Sequence, residues 1–141
     1  PHSIVDNGLR WHLRAYDRKS KSFRDFVLTR ITKVTIQAQT PSPEEDKLED
    51  HQWMRMVPLQ IIPHPNNVKH PTAIKLDFGM EKGVLEVNVR AAMAGYLLRR
   101  WNVDCSESGS LSGPEYQLYL QNSQTLYGAE NLAIAPGYQQ S

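Results

Sequence analysis

The chain has 141 residues, with 16 Lys and Arg against 15 Asp and Glu, a formal charge of +1 and a hydrophobic share of 40%. No apolar run approaches the ~18 to 20 residues that a membrane helix needs, and the single cysteine, Cys105, excludes an internal disulfide and a cysteine-based zinc site. The near-neutral total conceals an asymmetry: residues 1–39 carry eight basic and three acidic side chains, a net of +5, and the remainder is net −4. An anionic partner is therefore expected for the first part only.

In chain order, the first part reads as strands. An Asn7-Gly8 turn signal precedes residues 9–17, which alternate with Leu9, Trp11, Leu13 and Ala15 on one face and Arg10, His12, Arg14 and Tyr16 on the other. We assign Trp11 to the core. Residues 18–22 are a polar hairpin loop, and residues 23–38 resume β-rich sequence in which Arg24, Phe26, Leu28 and Arg30 share a side under strict period 2. Antiparallel pairing is expected to merge the two basic faces. Residues 40–55 are acidic and Pro-punctuated, as in a linker between two small domains. Their second half, from Ser42 with Pro43 at the first helical position, can wind into a short helix toward Trp53.

The second part alternates strand and helix. Residues 57–63 form a short apolar strand, 66–78 a helix broken or started by Pro71, and Lys82-Gly83 a turn. Residues 84–89 form a strand, 91–101 a helix and 116–120 a last strand after a Ser/Gly-rich loop, which together suggest a small α+β domain. The 91–101 helix carries Met93, Tyr96, Leu97, Leu98 and Trp101 on more than one side. A domain of roughly 80 residues buries limited surface alone, so a partner subunit is expected to cover the leftover side, in preference to the chain's own residues 116–135, and the part from Met56 onward to be the dimerising module.

Catalytic signatures are missing: there is no phosphate-cradling Gly-rich loop, dinucleotide fingerprint or nucleophile elbow. We expect neither an enzyme nor a cofactor. His64 and His70 flank a Pro/Asn-rich stretch that reads as a solvated loop in preference to a metal pair, and Cys105 is a nucleophile only with a base beside it. Glu44-Glu45-Asp46 is a solvated acidic face. The basic aromatic strands are more specific. Arginine forks match phosphates, and Tyr16 and Phe26 offer rings on which bases stack.

Residues 10–17, a short basic loop and residues 23–31 together resemble the core of a WYL domain, with the naming triplet written here Trp11-His12-Leu13. Pro1-His2 and the Arg-x-Phe-x-Leu-x-Arg-Ile run of residues 24–31 are also similar to that family. Residues 73–80 and 89–92 resemble the C-terminal extension, WCX, that accompanies many WYL regulators, and the His variant is similar to regulators encoded beside phage-defence systems. The resemblance implies residues 1–39 as a WYL domain, 40–55 as linker and 56–141 as a WCX-like extension. It implies an α+β fold: a partial Sm-like or SH3-like β-barrel, lacking N-terminal strands, followed by a small α+β domain.

The resemblance also implies a job: sensing a nucleotide or nucleic-acid ligand to control DNA binding by a winged helix-turn-helix absent from this chain, as a cytoplasmic homodimer. Pro1-His2-Ser3, with neither initiator Met nor leader, is read accordingly as the start of a piece of a longer protein. Carried over residue by residue, the ligand pocket comprises His2, Arg10, His12, Arg14, Tyr16, Arg24, Phe26 and Arg30. The alternatives are direct single-stranded nucleic-acid binding and an accessory domain of a nucleic-acid enzyme.

Overall fold

The computed structural model describes residues 1–139; Gln140 and Ser141, the last two of the 56–141 span, lie outside the described residues. β1 (Ser3–Asp6), β2 (Trp11–Asp17) and β3 (Ser22–Val27) form an antiparallel meander. The first turn is made by Asn7 and Gly8. The Asn7 side-chain oxygen accepts the N–H groups of Leu9 and Arg10 at 2.9 Å each, while Gly8 takes a φ of 85°, which a residue with a Cβ resists. At the second turn the Asp17 carboxylate accepts from the Lys19 N–H and the Ser20 hydroxyl.

The alternation along β2 is as expected, but its faces are reversed. His12 and Arg14 are each 1% exposed, whereas Trp11 is 54% exposed, so Trp11 does not belong to the core. The physical reason is that carboxylates gather on the polar face, Asp25 from β3, Asp50 from the segment after it and Glu130 from the C-terminal tail, and make its burial tolerable. Nor do the basic faces merge. Residues directly opposite in an antiparallel pair share a face, and the register sets Arg14 against Asp25, Ala15 against Arg24 and Leu13 against Phe26. Arg24 and Phe26 therefore lie on the Trp11 side, away from Arg14.

The β-rich reading of residues 23–38 is also shortened. β3 stops at Val27, and Leu28–Arg30 close into a 3-10 turn through the bond from the Ile31 N–H to the Leu28 carbonyl, which removes Arg30 from the strand's row. Residues 31–42 then run without a strand partner. Two 3-10 turns, Pro43–Glu45 and Lys47–Glu49, and a one-turn helix α1 (His51–Met54) follow. Pro43 opens the first, as expected, with its Glu45 held in the Arg18 fork at 2.6 and 3.1 Å. Asp50 caps α1 through the Trp53 N–H, and Trp53 is buried against His2 and beneath the Arg90 guanidinium, 4.6 Å from its ring centroid.

The second sheet contains β4 (Met56–Pro63), β5 (Leu85–Arg90), β6 (Val103–Asp104) and β7 (Leu118–Leu120) in the order β5-β4-β7-β6, antiparallel except for β6 with β7. Helix α2 (Pro71–Asp77) is started by Pro71, and α3 (Ala91–Arg100) follows β5 directly. β4 alternates cleanly, placing Val57, Leu59 and Ile61 at no more than 1% exposure in the core. α3 meets that core through Ala91, Ala94 and Leu98. Its Gly95 lies against the tail, where a Cβ would collide with the Asn131 carbonyl oxygen. Two sheets with short helices make a mixed α+β architecture, and the first sheet stays open rather than closing into a barrel among the described residues.

Candidate functional site: a buried ionic clasp

Arg14 projects from the middle of β2 into the space between the two sheets. Its Nε and Nη2 donate to the two Asp50 oxygens at 2.7 and 2.8 Å, and its Nη1 donates to Glu130 at 2.8 Å and to Asp25 at 3.2 Å. One guanidinium thus joins β3, the turn before α1 and the C-terminal tail. Burial opposes its charge, but its hydrogen bonds to Asp50 and Glu130, and their charges, outweigh that cost and raise its pKa further. Burial likewise opposes the Asp50 carboxylate. The Arg14 and His2 hydrogen bonds, His2 Nε2 at 2.9 Å, reverse the balance and hold it below the usual carboxylate range.

Asp25 organises the other side. It accepts the Tyr96 hydroxyl of α3 at 2.8 Å and the Asn131 amide at 3.3 Å. Burial, then the hydrogen bond to Asp25 and the Asp25 charge, push the Tyr96 pKa up. His12 sits between these groups with its ring 5.4 Å from that of Tyr96. The Asn7 amide donates to its Nδ1 at 3.0 Å, so the ring hydrogen resides on Nε2. That Nε2 is buried and 3.4 Å from Asp25, yet too poorly aligned for a hydrogen bond. Desolvation lowers the His12 pKa, with Arg14 adding to it and Asp25 opposing.

Of the eight pocket candidates, the structure brings His2, His12 and Arg14 together. Tyr16 stands at the end of the same face, its ring edge-on to Phe23. Arg10 and Arg30 are exposed, and exposed Arg24 reaches Asp17 at 3.3 Å. Sequence reasoning missed Asp25, Asp50, Tyr96 and Glu130. Their partners lie up to 116 residues away, and no local pattern marks them.

His64 is not the solvated loop residue expected from its neighbours. It is buried, with Nε2 donating to Asp104 at 2.8 Å and Nδ1 accepting the Asn66 and Asn67 N–H groups. His70 stays exposed just before α2. Cys105 is also buried, and desolvation followed by the Asp104 charge pushes its thiol up to about 12. It has no thiolate character to offer a substrate.

Two β-based units are thus clasped through buried charges around Arg14, the first of them a WYL-type strand meander. The WYL domain family matches residues 1–36, and the family described as BrxR transcriptional regulator, C-terminal dimerization domain, matches residues 56–126. The chain belongs to this family of WYL-containing BrxR-type transcriptional regulators. It is similar to proteins named DNA-binding transcriptional repressor CapW: 35% identical over 90% of this chain to one from Escherichia coli, covering 42% of it. The Pseudomonas aeruginosa relative is 40% identical over 86% of this chain, covering 40% of its own length, and the Stenotrophomonas maltophilia relative 32% over 74%, covering 34%. The chain spans about two fifths of the first of these relatives.

Proposed function

We propose that this chain is the effector-sensing and dimerisation region of a WYL-type transcriptional repressor. Residues 1–39 form the WYL unit, read as part of an Sm-like or SH3-like barrel, residues 40–55 link, and residues 56–141 are the WCX-like dimerising extension. A nucleotide or oligonucleotide ligand enters at Arg14, and the response passes to a winged helix-turn-helix outside this chain. The observation that carries this reading is the burial of Arg14 among Asp25, Asp50 and Glu130. A phosphate matches the same fork that now holds a carboxylate. Its entry exchanges one anion for another at Arg14 and releases the elements that bring Asp50, Glu130 and, through Asp25, Tyr96. The clasp is a two-state element, and a ligand that engages Arg14 only in the opened state shifts its population.

The test is anisotropy of a labelled pentathymidylate on the whole chain at several salt concentrations. If about three phosphates are engaged, the log-log salt slope is near −2. Arg14→Ala abolishes binding, whereas Asp50→Asn tightens it by freeing the guanidinium. Absence of binding at low salt to this probe and to mono- and dinucleotides overturns the ligand reading. A second reading is favoured by the exposed outer face, where Trp11, Phe26 and Arg24 lie together as a platform for direct single-strand binding. Loss in Trp11→Ala with Arg14→Ala unaffected selects it.

A further inference from the structure

We infer that β5 is the seam of the dimer, pairing antiparallel with β5 of a second copy about a two-fold axis at Asn88, with Glu86 opposite Arg90 of the other chain. This rests on the dimer reading above and names its surface. In the second sheet β5 is one edge, and its outer side makes no backbone hydrogen bond among the described residues. The opposite edge is two-residue β6, whose flanking Cys105 N–H is already bonded to the Pro136 carbonyl. A six-residue open edge is a template for another strand unless its side chains forbid it.

The backbone phase selects the register. The Ala91 N–H donates to the Arg55 carbonyl, so residues 85, 87 and 89 turn their amides toward β4, and Glu86, Asn88 and Arg90 turn theirs outward. A two-fold at Asn88 is the register that uses all three: Asn88 pairs with its own copy, and Glu86 pairs with Arg90 twice. Each charge meets its opposite, where a strand guarded by like charges would repel itself. Arg90 is held in place by its bond to the Trp53 carbonyl at 2.7 Å and by the Trp53 ring, while its other guanidinium nitrogens make no hydrogen bond among the described residues.

The same register sets Val87 opposite Val89 on the face that α3 covers, so the apolar layer continues across the seam. Beside it, Met93 and Leu97 of α3 and Trp101 just past its end recur every fourth residue and, with Val89 and the Asp6-Asn7-Gly8 turn of the first sheet, line a groove. The two-fold brings a second such stripe alongside. This is the leftover side of the helix for which the sequence demanded a partner.

The experiment is sedimentation velocity of the whole 141-residue chain with charge-reversed variants, each first checked for native circular dichroism. Glu86→Arg and Arg90→Glu each place like charges opposite one another twice, and each weakens self-association about tenfold or more. Mixing the two variants makes every cross-strand pair complementary and restores dimer. In parallel, Asn88→Cys forms a disulfide-linked dimer on mild oxidation, since buried Cys105 does not compete. A wild-type dimer that tolerates Glu86→Arg and shows no Asn88→Cys cross-link overturns the β5 seam while leaving dimerisation intact. A wild-type chain that stays monomeric at about 100 μM, far above useful affinities, overturns both.

Discussion

Arg14 and Asp50, 36 residues apart, face each other through two parallel hydrogen bonds of 2.7 and 2.8 Å, each side chain 1% exposed. Asp50 belongs to neither sheet, so this contact pins the connecting segment to β2, beside the Arg14–Glu130 and Asp25–Tyr96 contacts that reach the second unit. Asp50→Asn leaves Arg14 with Asp25 and Glu130 as its remaining counter-ions, and is expected to destabilise the chain by up to about 3 kcal/mol in urea unfolding, the low end for breaking a buried pair. The Asp50 pKa is depressed in the folded state, so its stabilisation is present above the unfolded value and is lost as pH falls below about 4. The same urea series run from pH 6 to pH 3 shows a smaller loss in Asp50→Asn than in wild type, the remainder belonging to other depressed carboxylates such as Asp104.

His12 gives a second, milder pH dependence of the same sign. Its folded pKa lies below the unfolded value of 6.5, so between the two the unfolded chain binds the extra proton. Stability therefore falls as pH drops below about 6.5, and rises with pH through that window. The groups facing His12 are Asn7, Arg14, Asp25 and Tyr96. His12→Gln is expected to flatten the stability profile between pH 7.5 and 5.5. An unchanged profile would assign the proton to another group.

How far the sequence went is clear from β2. Period-2 alternation located the strand and separated its two faces correctly, because side-chain alternation is a local property of the backbone. Which face is buried is not local. It depends on Asp25, Asp50 and Glu130 arriving from elsewhere, and hydropathy alone sent Trp11 inside and Arg14 outside. The strand 57–63 and the helix 91–101 were legible for the opposite reason: their partners are each other, and apolar residues announce that burial directly. β6, two residues long, carries too short a pattern to read. The clasp was half visible, as three of eight candidate residues, since a basic side chain shows its charge in the sequence but not its counter-ions.

Trp11 provides a direct check of the reversed faces. Trp11→Ala is expected to change stability by only about 0.5 kcal/mol, as an exposed position does. Leu98→Ala, at 0% exposure in the core, costs about 2 to 5 kcal/mol. Paired chemical denaturation of the two variants measures the contrast, and a large cost at Trp11 would mean that another surface covers it.

Cys105 is expected to resist iodoacetamide and Ellman's reagent in the native chain at pH 8, because its raised pKa leaves almost no thiolate and its side chain is shielded. The thiol reacts at once in denaturant. Fast labelling under native conditions would show that the segment between β6 and the Ser/Gly-rich loop opens.

The strand order β5-β4-β7-β6 imposes a schedule on synthesis. β4 is synthesised before β5 and gains it soon after, but its other edge waits for residues 118–120, which then also give β6 its ladder partner. Until that late strand slides between its neighbours, Ile61 and Ile62 border an unpaired β4 edge, a surface prone to wrong pairing. A premature stop anywhere before Leu118 would therefore spoil the middle of the sheet rather than trim its rim. β7 is thus a folding checkpoint: copies cut short before it lack the strand that holds β4 and β6 in one sheet.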